Sequence, residues 1–153
     1  MPRAVATGPE IAVLQRPTQA LRERIIRGIR AYNHARAGHD RWQPLAVVLR
    51  HPKSGRLVGG LYADSYYEWM FVDQFWISER HRGQGWGRRL MAALEAEARR
   101  RGCRGIWLDT FSWQARGFYE KLGFRIFGAI DGYPPPHRRF YLTKRLARRR
   151  KTA

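Results

Sequence analysis

Arg82-Gly83-Gln84-Gly85-Trp86-Gly87 lies between an aromatic-rich apolar run, Phe71 to Ile77, and a helix-forming run, Arg88 to Arg101. A glycine-rich turn that joins a strand to a helix N-terminus is a place to hold phosphate. Glycine lets backbone amides approach a ligand with no Cβ in the way, and first-turn N–H groups have no intrahelical acceptor. The aligned peptide dipoles add roughly half a positive charge at that end, which favours a diphosphate further.

Two other phosphate loops are excluded by spacing. A P-loop needs Lys followed by Ser or Thr after its second glycine, whereas Arg88 and Arg89 follow Gly87. A dinucleotide fingerprint needs glycine at its first, third and sixth places. Counted from Gly83 the sixth place is Arg88, so the match fails even though Asp109 stands at a suitable distance for a ribose contact.

The flanking chain reads as alternating strands and helices. Ile11 to Leu14 is expected to start a first strand. Thr18 is a candidate N-cap for a helix on which Leu21, Ile25, Ile29 and Tyr32 recur at near-helical spacing among arginines. Leu45 to Arg50 and Leu57 to Ala63 flank the turn His51-Pro52-Lys53-Ser54-Gly55, a hairpin signal, and Tyr67 to Ile77 is a longer strand running into the glycine loop. Leu90, Met91, Leu94 and Ala98 place an apolar stripe on the next helix, which stops near Gly102. Ile106 to Phe111 is a strand, Ala115 to Leu122 a short helix closed by Gly123, and Phe124 to Ile130 and Arg139 to Leu146 are the last two strands.

At 153 residues and 44% hydrophobic, the chain has the size of one domain with a real core, so 1–153 is expected to be a single domain with fraying ends at 1–9 and 147–153. Its apolar runs fall short of the roughly 20 residues of a membrane span, and no signal-peptide stretch opens it, so the expected location is the cytoplasm. Cys103 is the sole cysteine and reads as a packed thiol. A formal charge of +18 is extreme, and two explanations stand open. Clustered basic residues attract polyanions such as RNA or an acidic protein. Alternatively, with 30 basic residues of which only Lys53, Lys121, Lys144 and Lys151 are lysine, the arginine bias is compositional and the charge sits on solvated faces.

Arg82-x-x-Gly85-x-Gly87 resembles motif A of the GNAT superfamily of acetyl-CoA-dependent N-acetyltransferases. The segment Ser112-Trp113-Gln114-Ala115-Arg116-Gly117-Phe118-Tyr119-Glu120-Lys121-Leu122-Gly123-Phe124 resembles that family's motif B, in the same order and separation. The resemblance covers about residues 57 to 146. It implies an α/β (α+β mixed) fold: a central twisted mixed sheet of about seven strands with helices on both faces, splayed between strands four and five. The pantetheine arm of acetyl-CoA, the implied cofactor, would lie in that gap. Pairing of the final strands between two copies is common in the family, so a homodimer is a further expectation.

The resemblance also distributes roles. The backbone of Phe75, Trp76 and Ile77 would bond the pantetheine and supply an oxyanion donor. Arg82, Gly83, Gln84, Gly85, Trp86 and Gly87 would hold the diphosphate, with Ser112, Ala115, Phe118 and Tyr119 lining the cofactor from motif B. Two departures stand out: Ser112 replaces a frequent asparagine, and Trp86 a smaller aliphatic residue. Tyr119 matches the tyrosine that in many members protonates the departing sulfur. Its phenol, with an ordinary pKa near 10, holds a proton at neutral pH.

A base for the amine is harder to name. Asp73, Glu68 and Asp109 flank the expected gap. Asp73 is the first choice, because a carboxylate in an apolar strand costs free energy unless it is paired or used; Glu68 and Asp109 remain as substrate-side candidates. Tyr133-Pro134-Pro135-Pro136-His137 is similar to a Tyr-Pro-Pro-Gly-His turn of a subgroup of small bacterial members, with Pro136 in place of glycine. There Tyr133 and His137 would face the acceptor, or the segment is only a stiff turn. The function so implied is transfer of an acetyl group to a primary amine of a small molecule, in a ternary complex without metal. The alternatives are acetylation of a protein amine or an aminoacyl-tRNA, or a non-catalytic module of the same fold that binds nucleic acid or a partner.

Overall fold

The computed structural model describes residues 8–147. The expected flexibility of 1–9 and 147–153 falls almost wholly outside that range. The backbone contacts divide the chain into two compact units between His39 and Asp40.

The first unit is built around α1 (Gln19–Ala37). Thr18 starts it as expected: its side-chain oxygen accepts from the Leu21 amide at 3.2 Å. Gly38 ends it with φ 81°, its amide returning to the His34 carbonyl at 3.0 Å. The expected strand at Ile11 to Leu14 does not form. Ile11 and Val13 are 98% and 81% exposed, so nothing buries the run, and β-propensity alone does not hold an extended segment in a ladder.

The second unit is a mixed sheet with β1 (Gln43–Arg50), β2 (Leu57–Tyr66), β3 (Trp69–Ile77), β4 (Gly105–Phe111), β5 (Arg125–Asp131) and β6 (Arg138–Arg145). The strands lie in the order β1-β2-β3-β4-β6-β5, six among the described residues where about seven are expected. Two helices connect them, α2 (Trp86–Arg100) between β3 and β4, and α3 (Arg116–Lys121) between β4 and β5. β1 and β2 make the expected hairpin, closed by the Gly55 amide on the His51 carbonyl at 2.9 Å. β3 and β4 run parallel, as a strand–helix–strand crossover requires, and every other pairing is antiparallel.

The α2 stripe read from the sequence is the buried one. Leu90, Met91, Leu94 and Ala98 pack with Ile106, Leu108 and Leu142 from the sheet and with Tyr119 from α3, in one apolar cluster. Met70, Leu94, Ile106, Leu108 and Leu142 are the largest fully buried side chains. Arg101 ties the end of α2 to the first hairpin, donating to the Gln43 and Pro44 carbonyls and to the Ser65 hydroxyl. Cys103 is buried, and that burial pushes its thiol pKa up, which keeps it protonated and unreactive.

Two irregularities shape the site. The β2–β3 register passes from Tyr62↔Gln74 to Ala63↔Val72, so Asp73 is the extra residue of a bulge. The β3–β4 ladder runs only from Trp69↔Gly105 to Val72↔Leu108. Both strands continue past that point, β3 to Ile77 and β4 to Phe111, without further pairing to each other.

Candidate active site

The glycine loop sits at the end of β3 that has left the β4 ladder. A single 3-10 turn, Glu79–His81, follows Ser78, whose hydroxyl meets the His81 ring at 2.7 Å. Two side chains then brace the loop from within. Arg82 Nε donates to the Ile77 carbonyl at 2.8 Å, and Gln84 Nε2 donates to the Arg80 carbonyl at 2.8 Å. Arg82 and Gln84 therefore shape the loop with contacts of their own.

Gly83 and Gly85 have φ of 70° and 82°, the left-handed region that L side chains rarely adopt, and a Cβ on either would meet nothing within 4 Å. Gly85 is the N-cap of α2, so no side chain caps the helix and no acidic residue stands in its first turn. The first-turn amides accordingly keep their donors for an outside acceptor, on an open surface where the helix dipole is positive. Those features fit a diphosphate. Gly87 has a different reason to be glycine: a Cβ there would lie 3.1 Å from the Phe118 ring and 3.6 Å from Ile77. Trp86 is half-buried under the Arg89 guanidinium, 4.4 Å from its ring centroid.

Tyr119 links α3 to the open part of β3. Its ring lies 6.5 Å from Phe75, 5.1 Å from Phe118 and 6.0 Å from Phe124, and the residue is buried. Burial, followed by the charge of Asp109, pushes the phenol pKa up to about 12. The hydroxyl is thus held in its protonated, donating form far above neutral pH. Ala115 caps α3 through its carbonyl, which accepts from Phe118 and Tyr119.

Ser112 does not turn to the glycine loop. Its hydroxyl accepts from the Arg138 amide at 3.2 Å and lies 3.2 Å from His137 Nδ1, which ties motif B to the β5–β6 loop. Tyr133 and His137 join the same cluster: Trp113 stacks on Phe111 at 4.4 Å, Tyr133 lies 5.6 Å from Phe111, and the His137 ring stands edge-on to Trp113 at 4.7 Å. The turn is closed by the Tyr133 amide on the His137 carbonyl and the His137 amide on the Pro134 carbonyl. Its left-handed residue is Gly132, with φ 67°, so Pro136 is accommodated without any positive φ of its own.

The acids separate. Asp73, exposed at the bulge, lies where β3 leaves the β4 ladder, with Gln74 Nε2 donating to it at 3.4 Å. Asp109 is held by Arg139, at 2.7 Å from Nη2 and 2.9 Å from Nε. Glu68 belongs to the β2–β3 turn, at the opposite end of β3 from the glycine loop, and pairs there with Arg104. The expectation that Glu68 flanks the gap is therefore corrected: the turn places it a strand's length away. Asp64, which periodicity did not single out, neighbours Asp73. Burial and then the Asp73 charge raise its carboxyl above the ordinary value, against a hydrogen bond to Trp42. Only the pairing register brings these two carboxylates together, so no spacing in the chain announces them.

A mixed sheet with a parallel β3–β4 crossover, a β3 edge that leaves β4 and an uncapped helix behind a glycine loop make an α/β protein with room for a phosphate-bearing ligand at that corner. The chain belongs to the acetyltransferase (GNAT) family, whose model matches residues 15–124. It is 41% identical over 107 residues to blasticidin-S acetyltransferase of Streptomyces morookaense, a match covering 68% of this chain and 79% of that one. A crystal structure of an acetyltransferase from Bacillus cereus superposes with a TM-score of 0.78 at 29% identity, over 88% of this chain and 98% of that one. The fold is also that of a Bacillus anthracis acetyltransferase in complex with acetyl coenzyme A, with TM-score 0.60, 21% identity, and 68% and 63% of the two chains covered. The protein is an acetyltransferase, and acetyl-CoA is its cofactor. No helix among the described residues is long and apolar enough to cross a membrane.

Proposed function

We propose that this acetyltransferase moves the acetyl group of acetyl-CoA directly to a primary amine of a small molecule, with both bound at once. The observation that carries the reading is the uncapped α2 N-terminus standing beside the stretch of β3 that has no β4 partner. The amides that follow Gly85 and the left-handed Gly83–Gly85 turn hold the diphosphate. The β3 backbone from Asp73 to Ile77, which has no β4 partner, receives the pantetheine amides as a strand edge receives another strand.

Bound acetyl-CoA supplies a thioester carbonyl carbon that an amine can attack. Asp73 takes a proton from the ammonium, so that the nitrogen's lone pair is available to form the new C–N bond. A β3 amide donates to the carbonyl oxygen as it gains charge. As the C–S bond breaks, the Tyr119 hydroxyl gives its proton to the departing sulfur, while the acetylated nitrogen loses its second proton to solvent; solvent then reprotonates Tyr119 and takes the proton held by Asp73. Arg139 neutralises Asp109 locally, which leaves Asp73 as the carboxylate assigned to the amine.

The small-molecule acceptor is supported by the relative named for blasticidin S. A thiol-release assay over a panel of amines, with blasticidin S as first member, tests it. Turnover of small amines that is insensitive to moderate salt is expected. Activity only on an aminoacyl-tRNA or a protein N-terminus, falling steeply as salt rises, would overturn the acceptor class.

A further inference from the structure

We propose that Arg139 is a positioning residue for the acceptor: it clamps the Tyr133–His137 loop to β4, and so builds an aromatic wall that selects amines carried on a flat ring. The inference rests on the acetyl-transfer reading above and names the substrate class of that site. Arg139 lies opposite Phe111 in the β4–β6 register, so its side chain starts between β4 and the loop.

Its donors are divided between the two. Nη2 and Nε both face Asp109 Oδ1 on β4, at 2.7 and 2.9 Å, while Nη1 donates to the Tyr133 hydroxyl at 3.0 Å. The flat guanidinium also lies over the Phe111, Tyr133 and Tyr141 rings, with centroid distances of 5.2, 5.1 and 5.6 Å. Both charged side chains are largely sheltered, 25% exposed for Arg139 and 16% for Asp109, which strengthens the pair and removes its net charge from the wall. Lysine has neither the fork nor the flat face to make these contacts together.

What the clamp holds in place is a set of rings that still face outward. Trp113 and Tyr133 are 52% and 42% exposed, yet Trp113 is stacked on Phe111 with an interplanar angle of 13° and braced by His137. Rings fixed in this way lose little freedom when a flat acceptor stacks on them. A floppy loop would give no such surface.

Arg139→Gln and Tyr133→Phe, each against wild type, test the clamp by hydrogen exchange and by kinetics with tyramine and ethanolamine as probes. In Arg139→Gln the Tyr133 and His137 amides should exchange about tenfold faster or more, the consequence of losing one charge-assisted hydrogen bond. KM for tyramine should rise by about the same factor, with acetyl-CoA affinity unchanged, and the preference for tyramine over ethanolamine should shrink. Arg139→Lys should not restore it, and Tyr133→Phe, which keeps the ring, should show the same effects more weakly. Wild-type exchange in both variants would overturn the clamp; raised exchange with an unchanged tyramine KM, or no preference for tyramine in wild type, would overturn its role in selection. If neither probe nor any panel amine is acetylated, the acceptor reading fails while the exchange result still decides the clamp.

Discussion

Gly85→Asp separates the fold of the glycine loop from its use. Gly85 has φ 82°, and a Cβ built there meets nothing within 4 Å, so the substitution causes no clash. The remaining costs are conformational and electrostatic. An L residue in the left-handed region costs about 1–2 kcal/mol, and a carboxylate at a helix N-terminus returns about 0.3–1 kcal/mol. The net loss of about 1 kcal/mol should lower Tm by about 2–4 °C in a chain of this size.

Cofactor binding should respond far more. A carboxylate 4–8 Å from a phosphate charge repels it by about 2–4 kcal/mol at an effective dielectric constant of about 20, a loss of about thirtyfold to a thousandfold in affinity. Differential scanning fluorimetry reads both effects. With acetyl-CoA at about 100 times its wild-type Kd, the native protein gains about 2.7 kcal/mol, and a variant bound thirtyfold more weakly gains under about 1 kcal/mol. A Gly85→Asp protein that shows the wild-type ligand-induced shift would refute the reasoning, because the diphosphate could not then lie on the α2 N-terminus.

Tyr119→Phe should lower kcat by about a hundredfold or more while leaving acetyl-CoA affinity intact, as expected for a group that acts only when sulfur departs; an unaltered kcat returns Tyr119 to packing. Because the folded phenol titrates at about 12, above its ordinary value of 10.0, the stability it contributes is fully present below about pH 10 and is lost between about 10 and about 12. The kcat profile should accordingly show no fall assignable to Tyr119 below about pH 11, and a Tyr119-dependent loss near pH 9 would contradict its burial. Asp73→Asn should reduce kcat by about a hundredfold at neutral pH, with Glu68→Gln within about threefold of wild type; the reverse order, read in the thiol-release assay, would move the base to the far end of β3. Leu94→Ala, at a side chain with 0% exposure, should cost about 2–5 kcal/mol in denaturant unfolding, and a smaller loss would mean that α2 is loosely packed.

Local features of the chain reported well. All six strands of the sheet, the α2 stripe and both helix stops near glycine follow from side-chain period and punctuation, which depend on neighbours a few residues away. The Ile11 to Leu14 run shows the opposite case. Its apolar residues satisfy the rule for a strand, yet a strand exists only if something pairs with it and covers it, and Ile11 is 98% exposed. Glu68 and Asp73 lie five residues apart on what reads as one extended run. The turn keeps Glu68 before β3 begins, and the bulge sets Asp73 just past the last β3–β4 pair, so the two are in different surroundings.

The amino-acid sequence alone determines that a glycine loop opens a helix after an apolar strand, and that a tyrosine follows on a second helix, since backbone freedom and helix termini are properties of short segments. Tertiary structure alone decides which charges meet. Asp109 is neutralised by Arg139 and Ser112 is turned to the β5–β6 loop because segments 25 or more residues apart lie side by side, and Asp64 meets Asp73 through the register of the β2–β3 hairpin. Coulomb and hydrogen-bond energies depend on distances through space, which the linear order of residues does not contain.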